Sequence, residues 1–76
     1  MKDLLRYLIE AIVDDNEAIS INEVDGEKTM IFEVKVADAD VGKLIGKKGR
    51  TINAIRTVVK AATSKGSKKV MVEVLQ

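Results

Sequence analysis

An α+β fold, with three helices packed on one face of a three-stranded mixed sheet, is what three features of this 76-residue sequence predict. Apolar residues recur first with a helical period, then twice in alternation, then twice with a helical period, and finally in alternation, so the order is α–β–β–α–α–β. An Asp25-Gly26 pair separates the first two alternating runs and reads as a tight hairpin turn. The last alternating run must return across two helices to join the hairpin, which gathers those helices on one side of the sheet.

Each element has its own signal. In residues 2–15, Leu4, Leu5, Leu8, Ile9, Ile12 and Val13 form a helical stripe, and Asp14, Asp15 and Asn16 end it. Residues 18–24 alternate around Ile19 and Ile21 and predict a strand. The Asp25-Gly26 turn is expected to be type I′, with positive φ at both positions. In the returning strand, residues 28–36, Met30, Phe32, Val34 and Val36 face one way, and Glu33 and Lys35 the other. Asp38 or Asp40 is expected to cap a short helix ending near Ile45. A longer helix runs from about Arg50 to Thr63, with Ile52, Ile55, Val59 and Ala62 on its apolar face. Gly66 stops it within a basic loop, residues 64–69, and Val70, Val72 and Val74 form the last strand. There are no repeats or linkers, so one domain over residues 1–76 is expected.

Composition excludes several functions. With no Cys and no His, the chain lacks disulfides, the usual zinc and haem ligands, and any Ser–His–Asp or Cys–His pair. Ser20, Ser64, Ser67, Asp38 and Asp40 supply no nucleophile with a paired base, so no catalytic residue, metal site or cofactor is expected and the chain reads as a non-enzyme. Tyr7 and Phe32 are the only aromatic residues, too few for a base-stacking platform. Apolar runs are far shorter than the ~20 residues that span a bilayer, and Arg6 and Glu10 interrupt the N-terminal one. No membrane partner and a cytoplasmic location are therefore expected.

The formal charge of +1 conceals an asymmetry. Residues 1–40 carry four basic and eleven acidic side chains; residues 41–76 carry nine basic and one acidic. Either the halves face each other or the second half faces a polyanion. The second half also contains Gly46-Lys47-Lys48-Gly49 between two helical segments, with Arg50 directly after. Glycine permits a tight interhelical turn and close approach of a ligand backbone. The following helix opens with unpaired N–H groups and a partial positive charge, and the lysines add mobile charge. That combination suits a phosphodiester. A P-loop is excluded, because Gly42 to Gly46 encloses three residues rather than four and no hydroxyl follows Lys47. A packing contact through Gly42 and Gly46, or a merely solvated glycine turn, is the competing reading.

The run Val41-Gly42-Lys43-Leu44-Ile45-Gly46-Lys47-Lys48-Gly49-Arg50-Thr51-Ile52-Asn53-Ala54-Ile55-Arg56 resembles the KH-domain signature, and the element order is that of the type II, bacterial KH fold. Length, opening helix and hairpin together resemble the small single-domain KhpA family. The chain departs from it at residues 15–18, where a proline-containing turn is expected and no proline stands. The resemblance implies a single-stranded RNA-binding protein, an RNA chaperone acting in post-transcriptional control of cell shape and cell-wall growth. It implies that Gly46, Lys47, Lys48 and Gly49 clamp the backbone of about four nucleotides. It implies a base groove walled by Val41, Leu44, Ile45 and Ile52 with Val36, flanked by Arg50, Lys65, Lys68 and Lys69. Read from spacing alone, Ile45 and Ile55 belong to the core, and Val36 suits core or groove equally. Ala54, Val58 and Ala61 form a small apolar strip apart from the core face and from the Arg56/Lys60 face of the same helix. The strip is either a widened core stripe or a self-association surface, and the resemblance implies a homodimer and a heteromeric partner of the larger KhpB type. The alternative to RNA binding is a KH-like module that only binds protein.

Overall fold

The computed structural model describes residues 1–75. The helices are α1 (Lys2–Glu10), α2 (Val41–Ile45) and α3 (Arg50–Ala62); the strands are β1 (Ser20–Asp25), β2 (Thr29–Lys35) and β3 (Lys69–Val74). β1 and β2 pair antiparallel, β2 and β3 pair parallel, and the sheet order is β1-β2-β3. The predicted α–β–β–α–α–β order and mixed sheet are both present.

The strand alternation sorts the sheet into two faces. Ile21, Phe32, Val34 and Val72 are buried against Leu5 and Ile9 of α1, Leu44 of α2, and Ile52, Ile55 and Val59 of α3. On the other face, Val24, Ile31 and Met71 form one cross-strand row, of which Val24 and Met71 are exposed. Three helices therefore share one core on one side of the sheet, as the 3.6- and 2-residue periods require.

Several local expectations are corrected. Helix α1 stops at Glu10, because the N–H groups of Ile12 and Val13 both donate to the Ile9 carbonyl in a tightened final turn, which still buries Val13. A 3₁₀ turn over Asn16–Ala18 follows where a proline turn was expected, so β1 begins at Ser20. The hairpin tip lies at Glu27-Lys28 rather than at Asp25-Gly26, since Asp25 pairs with Met30 and the Gly26 N–H donates to the Thr29 carbonyl at 2.7 Å. None of Asp25, Gly26, Glu27 or Lys28 has a positive φ, so the turn is not type I′. A Cβ at Gly26 would lie 3.2 Å from the Thr29 carbonyl oxygen, a tight contact. Ala62 is exposed, outside the core face of α3.

Neither Asp38 nor Asp40 caps a helix with its side chain. Asp40 is buried at 3% exposure and works across the chain instead. Its Oδ2 accepts from the Asp15 backbone N–H at 3.0 Å, and its Oδ1 lies 3.8 Å from Lys43 Nζ. Lys43 also donates to Asp14. The hydrogen bond to Asp14 holds the Lys43 ammonium above the usual lysine range, and the nearby carboxylate charges add to the effect. The acidic N-terminal segment is thus tied to the helix that leads into the glycine turn.

Candidate nucleic-acid interface

Between α2 and α3 the chain reverses within four residues, three of them at positive φ: Gly46 (77°), Lys48 (59°) and Gly49 (77°). Gly46, at ψ 171°, occupies a region essentially restricted to glycine. A Cβ there would sit 2.3 Å from Thr51 Oγ1 and 2.8 Å from the Thr51 backbone nitrogen. Gly49 has open space around it, with Asn53 Nδ2 the nearest group at 3.6 Å, so only its φ calls for glycine. Lys48 is the one non-glycine residue at positive φ among the described residues. A lysine there costs about 1–2 kcal/mol relative to ordinary backbone. By contrast, a Cβ at Gly42 would meet nothing within 4 Å, so a small-residue packing contact is ruled out at that position.

The electrostatics of the turn are unbalanced. No side chain caps the N-terminus of α3, and its first turn carries no acid. Carboxylates in a first turn ordinarily stabilise a helix by about 0.3–1 kcal/mol each. Here Arg50 stands in that position, preceded by exposed Lys47 and Lys48, and none of the three is in an ion pair among the described residues. The Gly49 N–H donates to the Gly46 carbonyl at 3.1 Å and the Arg50 N–H to the Lys47 carbonyl; no carboxylate reaches the turn. Three cations and the positive end of a 13-residue helix therefore converge on an open surface.

Of the five residues expected to wall a base groove, three are buried and two are half-buried. Leu44 (0% exposed), Val36 (3%) and Ile52 (5%) belong to the core, and Val41 and Ile45 pack against it half-buried. Leu44 has no surface left to offer a ligand. A cavity of about 400 Å³ runs between α3 and β3. Arg56, Val59, Lys60 and Thr63 line it from the helix, and Val70 and Val72 from the strand. Lys68 and Lys69 border it too, but beyond the C-terminus of α3, about 20 Å along the helix from the glycine turn. Lys65 is exposed and does not line it; Lys68 is paired with Asp25. Lys68 and Lys69 therefore border the cavity at the C-terminal end of α3, and Arg50 is not among its lining residues.

Sequence reasoning left Arg56 and Lys60 out of the site, although their i, i+4 spacing on the cationic face of α3 was the available signal. Arg56 Nε donates to the Val72 carbonyl at 3.1 Å, and Nη1 donates to Asn53 Oδ1 at 3.3 Å. The guanidinium is thereby held across the groove. Ala54, Val58 and Ala61 are all exposed on a different flank of α3, with Val58 at 43%. The described residues contain no cluster of acids that could hold a metal ion, and no helix is long and apolar enough to cross a membrane.

A three-stranded mixed sheet backed by three helices, with a Gly-x-x-Gly turn joining the second helix to the third, is a KH domain of the type II order. The family model described as the KH domain of KhpA/KhpB matches residues 2–74. A protein of Clostridium perfringens named RNA-binding protein KhpA is 51% identical over 75 residues, covering 99% of this chain and all of the relative. Proteins of the same name from Caldanaerobacter subterraneus subsp. tengcongensis and Chlamydia caviae are each 47% identical, covering 99% and 100% of this chain and 100% and 97% of the relatives. The chain belongs to the KhpA/KhpB KH-domain family.

Proposed function

We propose that this protein binds single-stranded RNA without chemistry on it, the turn at residues 46–49 clamping the phosphate backbone and the α3–β3 groove receiving bases. The observation that carries the reading is the unpaired cation cluster of Lys47, Lys48 and Arg50 at an uncapped helix N-terminus, on a turn whose Gly46 admits no side chain without a clash. The name printed for the relatives, RNA-binding protein, supports the same reading. Three to four neutralised phosphates give log K falling with log salt at a slope of about −2 to −3 on single strands. The test is fluorescence anisotropy on a labelled single-stranded RNA with wild type and the Lys47→Asp/Lys48→Asp variant, folding being checked by circular dichroism. Loss of binding and of the salt slope is expected; undiminished binding removes the clamp.

The finer readings belong to the same proposal. A four-nucleotide site is weak alone, and two linked modules gain by effective concentration. Self-association through Ala54, Val58 and Ala61 would supply the second module, and their exposure leaves that strip free to pair. A larger KhpB-type chain is the proposed heteromeric partner, in keeping with a family model that spans both kinds of protein. Action as an RNA chaperone, a cytoplasmic location, and control of cell shape and wall growth rest on the family resemblance alone. Sedimentation across a concentration range with wild type and Val58→Asp tests the homodimer; a monomer throughout ends it.

A further inference from the structure

We propose that Asp40 is a positioning residue for RNA binding: it makes no contact with the ligand, and by tying α2 to the segment between α1 and β1 it sets where the glycine turn meets a phosphate backbone. The inference rests on the RNA-binding reading above and deepens it.

The turn at residues 46–49 hangs from a weak element. Helix α2 has five residues, under two turns, and a helix so short has no stability of its own in water. Its last bond runs from the Gly46 N–H to the Gly42 carbonyl at 2.8 Å, so α2 passes into the turn without a break and Gly46 goes where α2 goes. Leu44, wholly buried, anchors the helix in the core, and Val41 and Ile45 add half-buried contacts. Apolar contacts are non-directional, so they fix the depth of α2 better than its tilt. The restraint with most leverage on tilt lies about 6 Å from Leu44 along the axis, where Asp40 stands.

Asp40 is the one buried charged side chain among the described residues. Its Oδ2 reaches back 25 positions to accept from the Asp15 N–H at 3.0 Å. Its Oδ1 lies 3.8 Å from Lys43 Nζ, which in turn donates to Asp14. Asp40 and Lys43 are three residues apart, so both ties leave one side of α2 and grip two consecutive residues of the α1–β1 segment. For a carboxylate this deeply buried, desolvation largely offsets the attraction of its partners, and an apolar side chain of like size is often as stable in such a place. What a hydrogen-bonded carboxylate adds is direction.

The sign of the effect separates position from charge. Removing an acid from the protein, by Coulomb attraction alone, tightens its hold on a polyanion. Loosening α2 does the reverse, because the apparent Kd rises by the factor by which the binding-competent fraction falls.

The experiment uses the full chain and a labelled, sequence-randomised single-stranded RNA, read by anisotropy across a salt series at a temperature where circular dichroism shows every variant folded. Asp40→Ala is expected to weaken binding about three- to tenfold. The slope of log K against log salt should stay unchanged, because the same phosphates are met. Asp40→Asn keeps an acceptor for the Asp15 N–H and should recover part of the loss. Ile21→Val trims the core in β1, away from both ties, and should melt lower than wild type yet bind as tightly. The amide resonances of Gly46 and Gly49 should shift or broaden in Asp40→Ala and not in Ile21→Val. Should Asp40→Ala fail to fold, Asp14→Asn, at an exposed position, takes its place with an expected loss of about two- to threefold. Binding by Asp40→Ala, or by Asp14→Asn in its place, that equals or exceeds wild type overturns the positioning role and leaves the clamp standing. A loss that Ile21→Val shares does the same. Failure of the wild type to bind the RNA overturns both.

Discussion

Replacing Gly46 and Gly49 by alanine, one at a time, separates two roles that the Gly-x-x-Gly spacing makes look alike. At Gly49 a Cβ enters open space, and the penalty is that of a left-handed residue, about 1–2 kcal/mol. At Gly46 the backbone lies in a glycine-only region, about 1–3 kcal/mol, and the Cβ collides with Thr51, a further 1–3 kcal/mol of overpacking. The sum, about 2–6 kcal/mol, is a large share of the stability expected of a domain this small. With a urea m-value near 1 kcal/mol/M, Gly49→Ala should lower the midpoint by about 1–2 M, and Gly46→Ala by about twice that or more. Equilibrium unfolding by circular dichroism reads both. Thr51→Ala gives a control, because it removes the hydroxyl at 2.3 Å but leaves the Thr51 Cβ at 2.7 Å and nitrogen at 2.8 Å in place. The double variant should therefore recover only a small part of the loss. Equal midpoints for the two glycine variants, or full rescue by Thr51→Ala, would refute the geometric account of the turn.

Other consequences follow from the same site and its supports. Arg50→Glu should raise stability by about 0.3–1 kcal/mol, since it supplies the first-turn acid that α3 lacks, while weakening RNA binding; thermal melts and anisotropy should move in opposite directions. Asp40→Ala should cost about 1–3 kcal/mol by leaving the Asp15 N–H unpaired, and Asp40→Asn less, because an acceptor oxygen remains. Lys43 has its folded pKa raised by Asp14, so its contribution is complete below the unfolded lysine value and fades only as pH climbs through the folded one. The stability gap between wild type and Asp14→Asn should accordingly stay level from about pH 6 to 9 and narrow only above the ordinary lysine range. Leu44→Ala should cost about 2–5 kcal/mol in unfolding experiments, as for any wholly buried leucine.

The sequence made the periodic parts of this fold readable and left the rest obscure for definite reasons. Phe32, Val34 and Val36 alternate, and all three are buried; Ile52, Ile55 and Val59 repeat at helical spacing, and all three are buried. One-dimensional period maps directly onto one face, so these positions needed no tertiary information. The hairpin tip did not follow its dipeptide, because register was set by the pairing of apolar rows across β1 and β2, which carried the turn two residues beyond Asp25-Gly26. Asp40 was misread as a cap for a similar reason: its partner, the Asp15 N–H, is 25 positions away in the chain. The Gly-x-x-Gly turn was legible because it is local, four consecutive residues whose glycines and charge stand together in the sequence. The groove was not, since its walls meet only when β3 pairs parallel to β2 and brings Val72 under Arg56, 16 residues apart in sequence. Both residues were in plain view, one as a strand valine and the other on the cationic face of a helix. Their meeting is a property of strand order, and a groove assembled in that way has no signature in the spacing of either segment alone.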